Sequence, residues 1–317
     1  MFADCTNLTN VTLPSTITSI YKSAFEHCNN LSTVKVNMLN PPVINSETFT
    51  NRFLATLIVP KGRKAAYEAK DYWNEFKHIY AMNDVNNDDN IDVLDVVDIA
   101  RFVVGTPSQS FIEYLADINN DSEVNLGDAV ALVNDIAGEQ NFVKAWSAPR
   151  EVDTGDALTL SEGNGCLSLN LENERYYSAS QFDIYVPEGT DVTQMLLNAE
   201  RKQQHQLLYN KVEEGHYRVA VLSTSNNEFI GNNGELLNIA LTGADNSEVS
   251  VRNIHFFDAE GNAYRFEDIY GSSPTSIRQI DNGELRMDNS IYNLVGQRLN
   301  KMQRGVNIVG GKKIMVK

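Results

Sequence analysis

The sequence predicts a multidomain, mostly β protein with some α: the end of a repeat solenoid, a small all-α segment and an antiparallel β-sandwich. Three observations carry this reading. An apolar pattern recurs at a 23-residue period near the N-terminus, two acidic twelve-residue windows are each followed by a helical period, and short alternating runs divided by Gly and Asn turns fill the second half. The length of 317 residues agrees with two or three domains, since a domain averages ~100 to 200 residues.

The solenoid rests on fixed spacing. Leu8, Leu31 and Leu54 stand 23 residues apart, as do Val11, Val34 and Leu57, and Leu13, Val36 and Val59. Each copy reads as a short strand whose apolar side faces a shared core. Phe2 and Phe25 keep the period, as do Cys5 and Cys28 with Asn51 next in register, so these cysteines read as small buried residues of a ladder. The stretch resembles the bacterial-surface, BspA-like leucine-rich repeats, through Phe2-Ala3-Asp4-Cys5 with Leu8, Val11, Leu13 and Pro14, and through Ala24-Phe25 with Cys28 and Leu31. Leu57 to Gly62, followed by Tyr67, Trp73 and Phe76, is similar to the way such arrays end, with a capping helix over the last coil. The repeat domain is therefore expected over 1–82. Because the chain opens in mid-repeat, upstream sequence with an export signal is expected, and with it an extracellular or cell-surface location.

Charge is unevenly spread. The whole chain carries 42 acids against 26 bases, a net charge of −16. So acidic a surface repels phosphate, which excludes nucleic acid as a partner. No run of ~18 apolar residues could form a membrane span. Residues 83–140 hold 13 acids and one base, a density that disfavours compaction unless a cation offsets it.

Two windows account for most of that acid. The first places Asp84, Asn86, Asp88, Asn90, Asp92 and Asp95 at positions 1, 3, 5, 7, 9 and 12, and the second places Asp117, Asn119, Asp121, Glu123, Asn125 and Asp128 there. Calcium takes 6 to 8 hard oxygens at roughly 2.3 to 2.6 Å, and loops supply them from these positions, with position 7 ligating through its carbonyl and position 9 usually through water. Two calcium ions are expected. Ile91 and Val124 at position 8 would pack the loops together, and helical periods follow each loop in Leu94, Val97, Arg101 and Val104 and in Val130, Val133 and Ala137.

Two such loops 33 residues apart, one helix after each and Asp instead of Glu at position 12, resemble a type I dockerin over 83–139. The resemblance implies a module that binds a cohesin domain in a calcium-dependent way. The pattern departs from the family at position 6, where Asp89 and Ser122 replace the usual Gly, and at positions 10 and 11, where Val93-Leu94 and Leu126-Gly127 replace a Ser-Thr pair. Val93, Leu94, Val97 and Leu126 are candidates for the partner face, and equally for the core of a small domain.

A linker is expected over 140–153. Beyond it, Leu167 to Leu171, Gln181 to Tyr185, Tyr217 to Leu222 and Leu236 to Leu241 are the clearest strands of a sandwich over 154–274. The order of these runs resembles a cohesin or a related carbohydrate-binding sandwich. The helical module and the sandwich are then expected either to pack against each other or to bind partners in other molecules. Tyr176, Tyr177, Phe182, Tyr217 and Phe229 could stack on sugar rings or fill the core. Residues 275–317 read as basic strands around Gly310-Gly311 and look like the C-terminal sorting or anchoring segment of secreted proteins of anaerobic Gram-negative bacteria.

No catalytic constellation is legible. The five histidines form no H-E-x-x-H, the three cysteines no C-x-x-C, and neither G-x-S-x-G nor G-x-G-x-x-G occurs. The expected role is calcium-dependent protein–protein scaffolding or adhesion without catalysis. Polysaccharide degradation is the alternative, with the sandwich binding glycan or a glycoside hydrolase lying upstream.

Overall fold

In a computed structural model of the chain, the structure describes residues 2–138, 150–151, 155–163, 166–242 and 248–271, together with strands between 291 and 316. Most of the expected linker and of the tail, Gly310 and Gly311 included, lies outside the described residues. The chain divides into two compact units, 1–271 and 272–317.

The first unit opens on a parallel sheet of β1 (Asn10–Leu13), β2 (Thr33–Val36), β3 (Thr56–Val59) and β4 (His78–Ala81), in that order. Its register pairs Asn10 with Thr33 and Thr33 with Thr56, the period read from the sequence. Phe2, Phe25 and Phe49 stack along one edge with centroids 5.5 and 4.8 Å apart. Cys28 Sγ donates to the Phe2 carbonyl at 2.9 Å, and Asn51 Nδ2 donates to the Leu31 carbonyl at 2.9 Å, so both tie neighbouring coils. Helix α1 (Lys64–Glu68) is a short cap. Tyr67 and Trp73 are fully buried under it, their polar atoms donating to the Met38 and Pro42 carbonyls at 2.7 and 2.8 Å. Strand β4 was not expected. It pairs Thr56 with His78, a 22-residue step without the repeat's leucines, and continues the sheet straight into the acidic segment.

The acidic segment contributes α2 (Val93–Val103), a 3-10 turn (Glu113–Leu115) and α3 (Leu126–Ala137). Both helices start where the residue types require it. Asp92 and Asn125 cap them, each in a capping box closed by Asp95 or Asp128 three residues later. Gly138, at φ 76°, ends α3 in the left-handed conformation.

The sandwich follows. One sheet runs β10 (His205–Glu213), β11 (His216–Ser223), β8 (Ala179–Tyr185), β13 (Ser250–Phe257), β14 (Ala263–Arg265) and β5 (Arg150–Glu151), with β15 (Ile269–Tyr270) also on β13. The other runs β6 (Ala157–Gly163), β7 (Cys166–Glu172), β12 (Glu235–Thr242) and β9 (Asp191–Leu197). Alternation puts Leu167, Leu169 and Leu171 of β7 in the core against Phe182 and Ile184 of β8 and Val219 and Val221 of β11.

The outer face of the first sheet is also covered. Ala179, Ala220, Leu222, Phe257 and Ala263 point away from the sandwich core and share a second cluster with Val96, Ile99 and Val103 of α2 and Leu126, Ala129 and Val133 of α3. Alanines on the sheet let the helices approach closely, and Ile58 of the repeat sheet joins the same cluster. The helical pair therefore has no core of its own that is separate from the sandwich. In the second unit, β16 (Ile291–Tyr292), β17 (Arg298–Leu299), β18 (Gly305–Val309) and β19 (Lys312–Val316) form an antiparallel sheet in the order β17-β16-β18-β19.

His205, at the start of β10, gives the fold a pH limit. Its ring stacks on Phe229 at 4.1 Å, its Nδ1 accepts from the Gln203 N–H at 3.0 Å, and burial pushes its pKa down to about 4. The unfolded chain binds this proton below the ordinary value of 6.5 and the folded chain only near 4, so the contribution is complete above 6.5 and is lost as pH falls through that window. Urea unfolding is expected to show a differential loss on the order of 3 kcal/mol between the protein and His205→Phe across it. Identical pH profiles for the two would refute the assignment.

Candidate functional site

The two acidic windows fold into loops that share the same set of hydrogen bonds to the side chains at positions 1, 3, 5, 9 and 12. At position 12, Asp95 accepts from the N–H groups of Val85, Asn86 and Asp92 at 2.9, 3.2 and 2.9 Å, and Asp128 from those of Ile118, Asn119 and Asn125 at 2.8, 3.2 and 2.9 Å. At position 1, Asp84 accepts from Asp88 and Asp89 at 3.0 and 3.1 Å, and Asp117 from Asp121 and Ser122 at 3.0 and 3.2 Å. The amides of Asn86 and Asn119 accept from the same Asp88 and Asp121 N–H groups, at 3.0 and 2.9 Å. Asp88 and Asp121 in turn accept from Asn90 and Glu123 at 2.8 Å each.

This winding needs left-handed backbone at positions 4 and 6. Asn87 and Asp89 take φ of 54° and 68°, and Asn120 and Ser122 take 61° and 75°. Asn and Asp adopt that region at modest cost, whereas Ser122 adopts it with less local compensation. Both loops therefore take the same backbone path although position 6 is Asp in one and Ser in the other.

Electrostatically the loops are unbalanced. Asp84, Asp95 and Asp128 are buried, and burial raises all three pKa values, with Asp95 pushed up to about 6 and Asp128 to about 7. The charges of Asp121 and Asp117 add to the rise at Asp128. Lys64 pairs with Asp89 at the rim of the first loop. Among the described residues no Lys or Arg pairs with Asp84, Asp95, Asp117, Asp121 or Asp128. Asp92 and Asn125 accept from Leu94 and Gly127 N–H groups at 2.7 Å each. The oxygens are turned to backbone donors here, and among the described residues no three His, Cys, Asp or Glu close around a common point. The donor set is nonetheless one of hard oxygens only, with an Asn amide and a backbone carbonyl alongside the carboxylates, and the buried Asp95 and Asp128 carboxylates are met by backbone N–H groups and by no ion pair among the described residues. Those properties fit a divalent cation of the calcium type.

The candidate partner residues fall into two environments. Val93 and Leu94 are exposed, at 42% and 56%, and Val97 is half-buried. Leu126, the counterpart of Val93 in the second loop, is fully buried against the chain's own sandwich, where its N–H donates to Gln181 Oε1 at 3.0 Å. Sequence reasoning missed Gly127, Gln181 and Phe257. A Cβ at Gly127 would lie 3.2 Å from the Phe257 ring and 2.9 Å from Asn125 Oδ1, so glycine is what lets helix meet sheet. The available signal was the unbroken apolar run Val219 to Leu222, which alternation cannot explain unless both faces are covered. Of the aromatics considered for sugar stacking, Tyr177, Phe182, Tyr217 and Phe229 are buried and Tyr176 is 57% exposed.

The family model of the BspA-type leucine-rich repeat region matches residues 1–87. No curated protein matches the chain. Solved structures similar to part of it are cohesin modules. A non-cellulosomal cohesin from Archaeoglobus fulgidus is 17% identical over 36% of this chain and 86% of its own, with a TM-score of 0.29. The sixth cohesin of Acetivibrio cellulolyticus scaffoldin B, solved with a Cel5 dockerin mutant, is 18% identical over 36% and 96%, with a TM-score of 0.30. The cohesin module of a Clostridium perfringens family 33 glycoside hydrolase is 13% identical over 36% and 90%, with a TM-score of 0.28.

Proposed function

We propose that the chain is a non-catalytic, modular scaffolding or adhesion protein of the cell surface or extracellular medium, in which residues 83–139 are a dockerin-like module with two calcium ions, docked on a cohesin-like sandwich of the same chain. The observation that carries this is the duplication of the main loop hydrogen bonds around the buried Asp95 and Asp128 carboxylates, which no Lys or Arg pairs among the described residues. Asp84, Asn86, Asp88, the Asn90 carbonyl, Asp92 and Asp95 would hold one ion, and Asp117, Asn119, Asp121, the Glu123 carbonyl, Asn125 and Asp128 the other. Bound calcium supplies positive charge that offsets carboxylate repulsion. The protein's own part is to gather those oxygens on two wound loops and to fix the N-termini of α2 and α3.

Docking within the chain assigns the two faces different roles. Leu126 and Gly127 are taken up by Gln181 and Phe257, so calcium acts as a staple for the internal contact. Val93 and Leu94 stay on the surface and are the face open to a cohesin-type domain of another molecule. Residues 275–317 would serve as the sorting or anchoring segment.

Calcium at 100 times its dissociation constant is expected to stabilise each loop by about 2.7 kcal/mol, raising the melting temperature of the full chain reversibly with chelator. Titration calorimetry should count two ions in the protein and one in Asp128→Asn. Superimposable melting curves with calcium and with chelator would refute the calcium reading. The internal contact has its own test. Gly127→Val forces the helix off Phe257 and is expected to cost ~1 to 3 kcal/mol, with amide exchange rising in 96–103 and 126–137 while 167–171 stays protected. Unchanged exchange in the two helices would show that the sheet does not hold them.

A further inference from the structure

The sandwich carries a cleft apart from the acidic loops and the helix–sheet contact. It has a volume of about 410 Å³, is open to solvent, and is lined by Tyr176, Gln203, Asn227, Glu228 and Ile230, with Gly231 at its wall. That volume lies within the range of small-ligand sites, ~300 to 1,000 Å³, and suffices for one or two sugar rings.

The lining is chemically specific. Tyr176 and Ile230, 57% and 44% exposed, give it an apolar surface that water contacts on the protein as it stands. Around them stand neutral amides and one carboxylate. Among the described residues no hydrogen bond engages the Glu228 carboxylate, the Gln203 side-chain amide, the Tyr176 hydroxyl or Asn227 Oδ1. No Lys or Arg lines the cleft, so an anionic ligand would meet only Glu228. Asn227 Nδ2 donates to the Gln203 carbonyl and Gln204 Oε1, which leaves an aromatic ring beside the Gln203 amide, the Asn227 amide oxygen and a carboxylate, a match for a pyranose, whose C–H face is apolar and whose hydroxyls both donate and accept.

The cleft is also built to keep its shape. Arg201 is buried and has no carboxylate partner among the described residues; its guanidinium donates to the carbonyls of Ile230, Gly231, Gly234 and Leu171 at 3.0, 3.1, 3.1 and 2.8 Å, and to Asn173 Oδ1 at 2.8 Å. Burying a charge for carbonyls alone is costly, and what it secures is the backbone of the cleft wall. Phe229 beneath is fixed by the His205 ring and by its N–H donating to the Tyr177 carbonyl at 2.8 Å. Asn226 is held on the other side, donating to the Ala259 carbonyl at 2.7 Å. Such preorganisation removes the ordering cost of binding.

We propose that this cleft is a binding site for a neutral saccharide, with Tyr176 as stacking platform and Gln203, Asn227 and Glu228 as hydroxyl partners. The inference does not rest on calcium, and the two stand or fall on different measurements. The test is saturation-transfer NMR and calorimetry on the full chain with cellotriose, xylotriose, maltotriose and chitotriose, and trigalacturonate as the acidic counterpart. At least one neutral trimer is expected to bind saturably in the millimolar range or tighter. Tyr176→Ala should weaken that trimer at least tenfold and Gln203→Ala with Asn227→Ala several-fold, while Tyr176→Phe retains most of it. These are surface changes, so unchanged melting keeps the comparison valid. The proposal is overturned if no neutral trimer binds at 5 mM, if binding survives Tyr176→Ala unchanged, or if trigalacturonate binds as well as the neutral sugars.

Discussion

Burial of the Asp95 and Asp128 carboxylates is the constraint on which the rest of the first unit depends. Each is removed from water and each accepts three backbone N–H bonds from its own loop, so one side chain determines how twelve residues wind. The same side chain closes the capping box that starts the following helix. Loop shape and helix direction are thereby a single choice. Neither can change without leaving N–H groups unpaired in a buried place, at ~1 to 3 kcal/mol each.

That choice sets what the helices can cover. With α3 entering at Asn125, its first residues Leu126 and Gly127 come down on Gln181 and Phe257, and its later turns lie over β8, β11 and β13. The sheet is prepared for it. Three alanines, Ala179, Ala220 and Ala263, occupy outward positions where a larger residue would hold the helices away. A sheet with both faces buried must be apolar on both, which is why β11 has so little polar alternation. Ile58 in the same cluster means that the last repeat coil, the helices and the sheet share apolar contacts.

The sequence was legible wherever a short-range rule acts. The repeat period set the register of β1 to β3, and the duplicated spacing of the acidic windows reappears as duplicated hydrogen bonds of Asp84, Asn86, Asp88 and Asp95 and their counterparts. It was silent where the determinant is contact between distant segments. Strand β4 carries no repeat leucine; its Tyr80 packs instead against the cluster that the helices and the sandwich share, and Asn83 just beyond it donates to Asp135 of α3. The role of Gly127 depends on a ring 130 residues downstream. Val93 and Leu126 hold the same position in duplicated loops, yet one is exposed and the other fully buried. No local pattern separates them, since only the tertiary placement of one sandwich breaks the symmetry.

Helix α3 is where these dependencies meet. Its first turn is fixed by Asp128, its middle is pressed between α2 and the sheet, and near its end Asn134 is buried with both amide atoms occupied. Nδ2 donates to the Ala259 carbonyl at 2.9 Å, and Oδ1 accepts from Asn226 at 2.7 Å. Ala259 and Asn226 both border the cleft around Tyr176. A twelve-residue helix spans about 18 Å, so the second acidic loop and the cleft lie at opposite ends of one rigid element. Displacing α3 would release Asn134 from both partners, leaving a buried amide unpaired and the Asn226 turn, at φ 53°, with only its bond to the Ala259 carbonyl. The loop network therefore supports more than its own backbone, because it sets the position of the element that braces the far end of the sandwich.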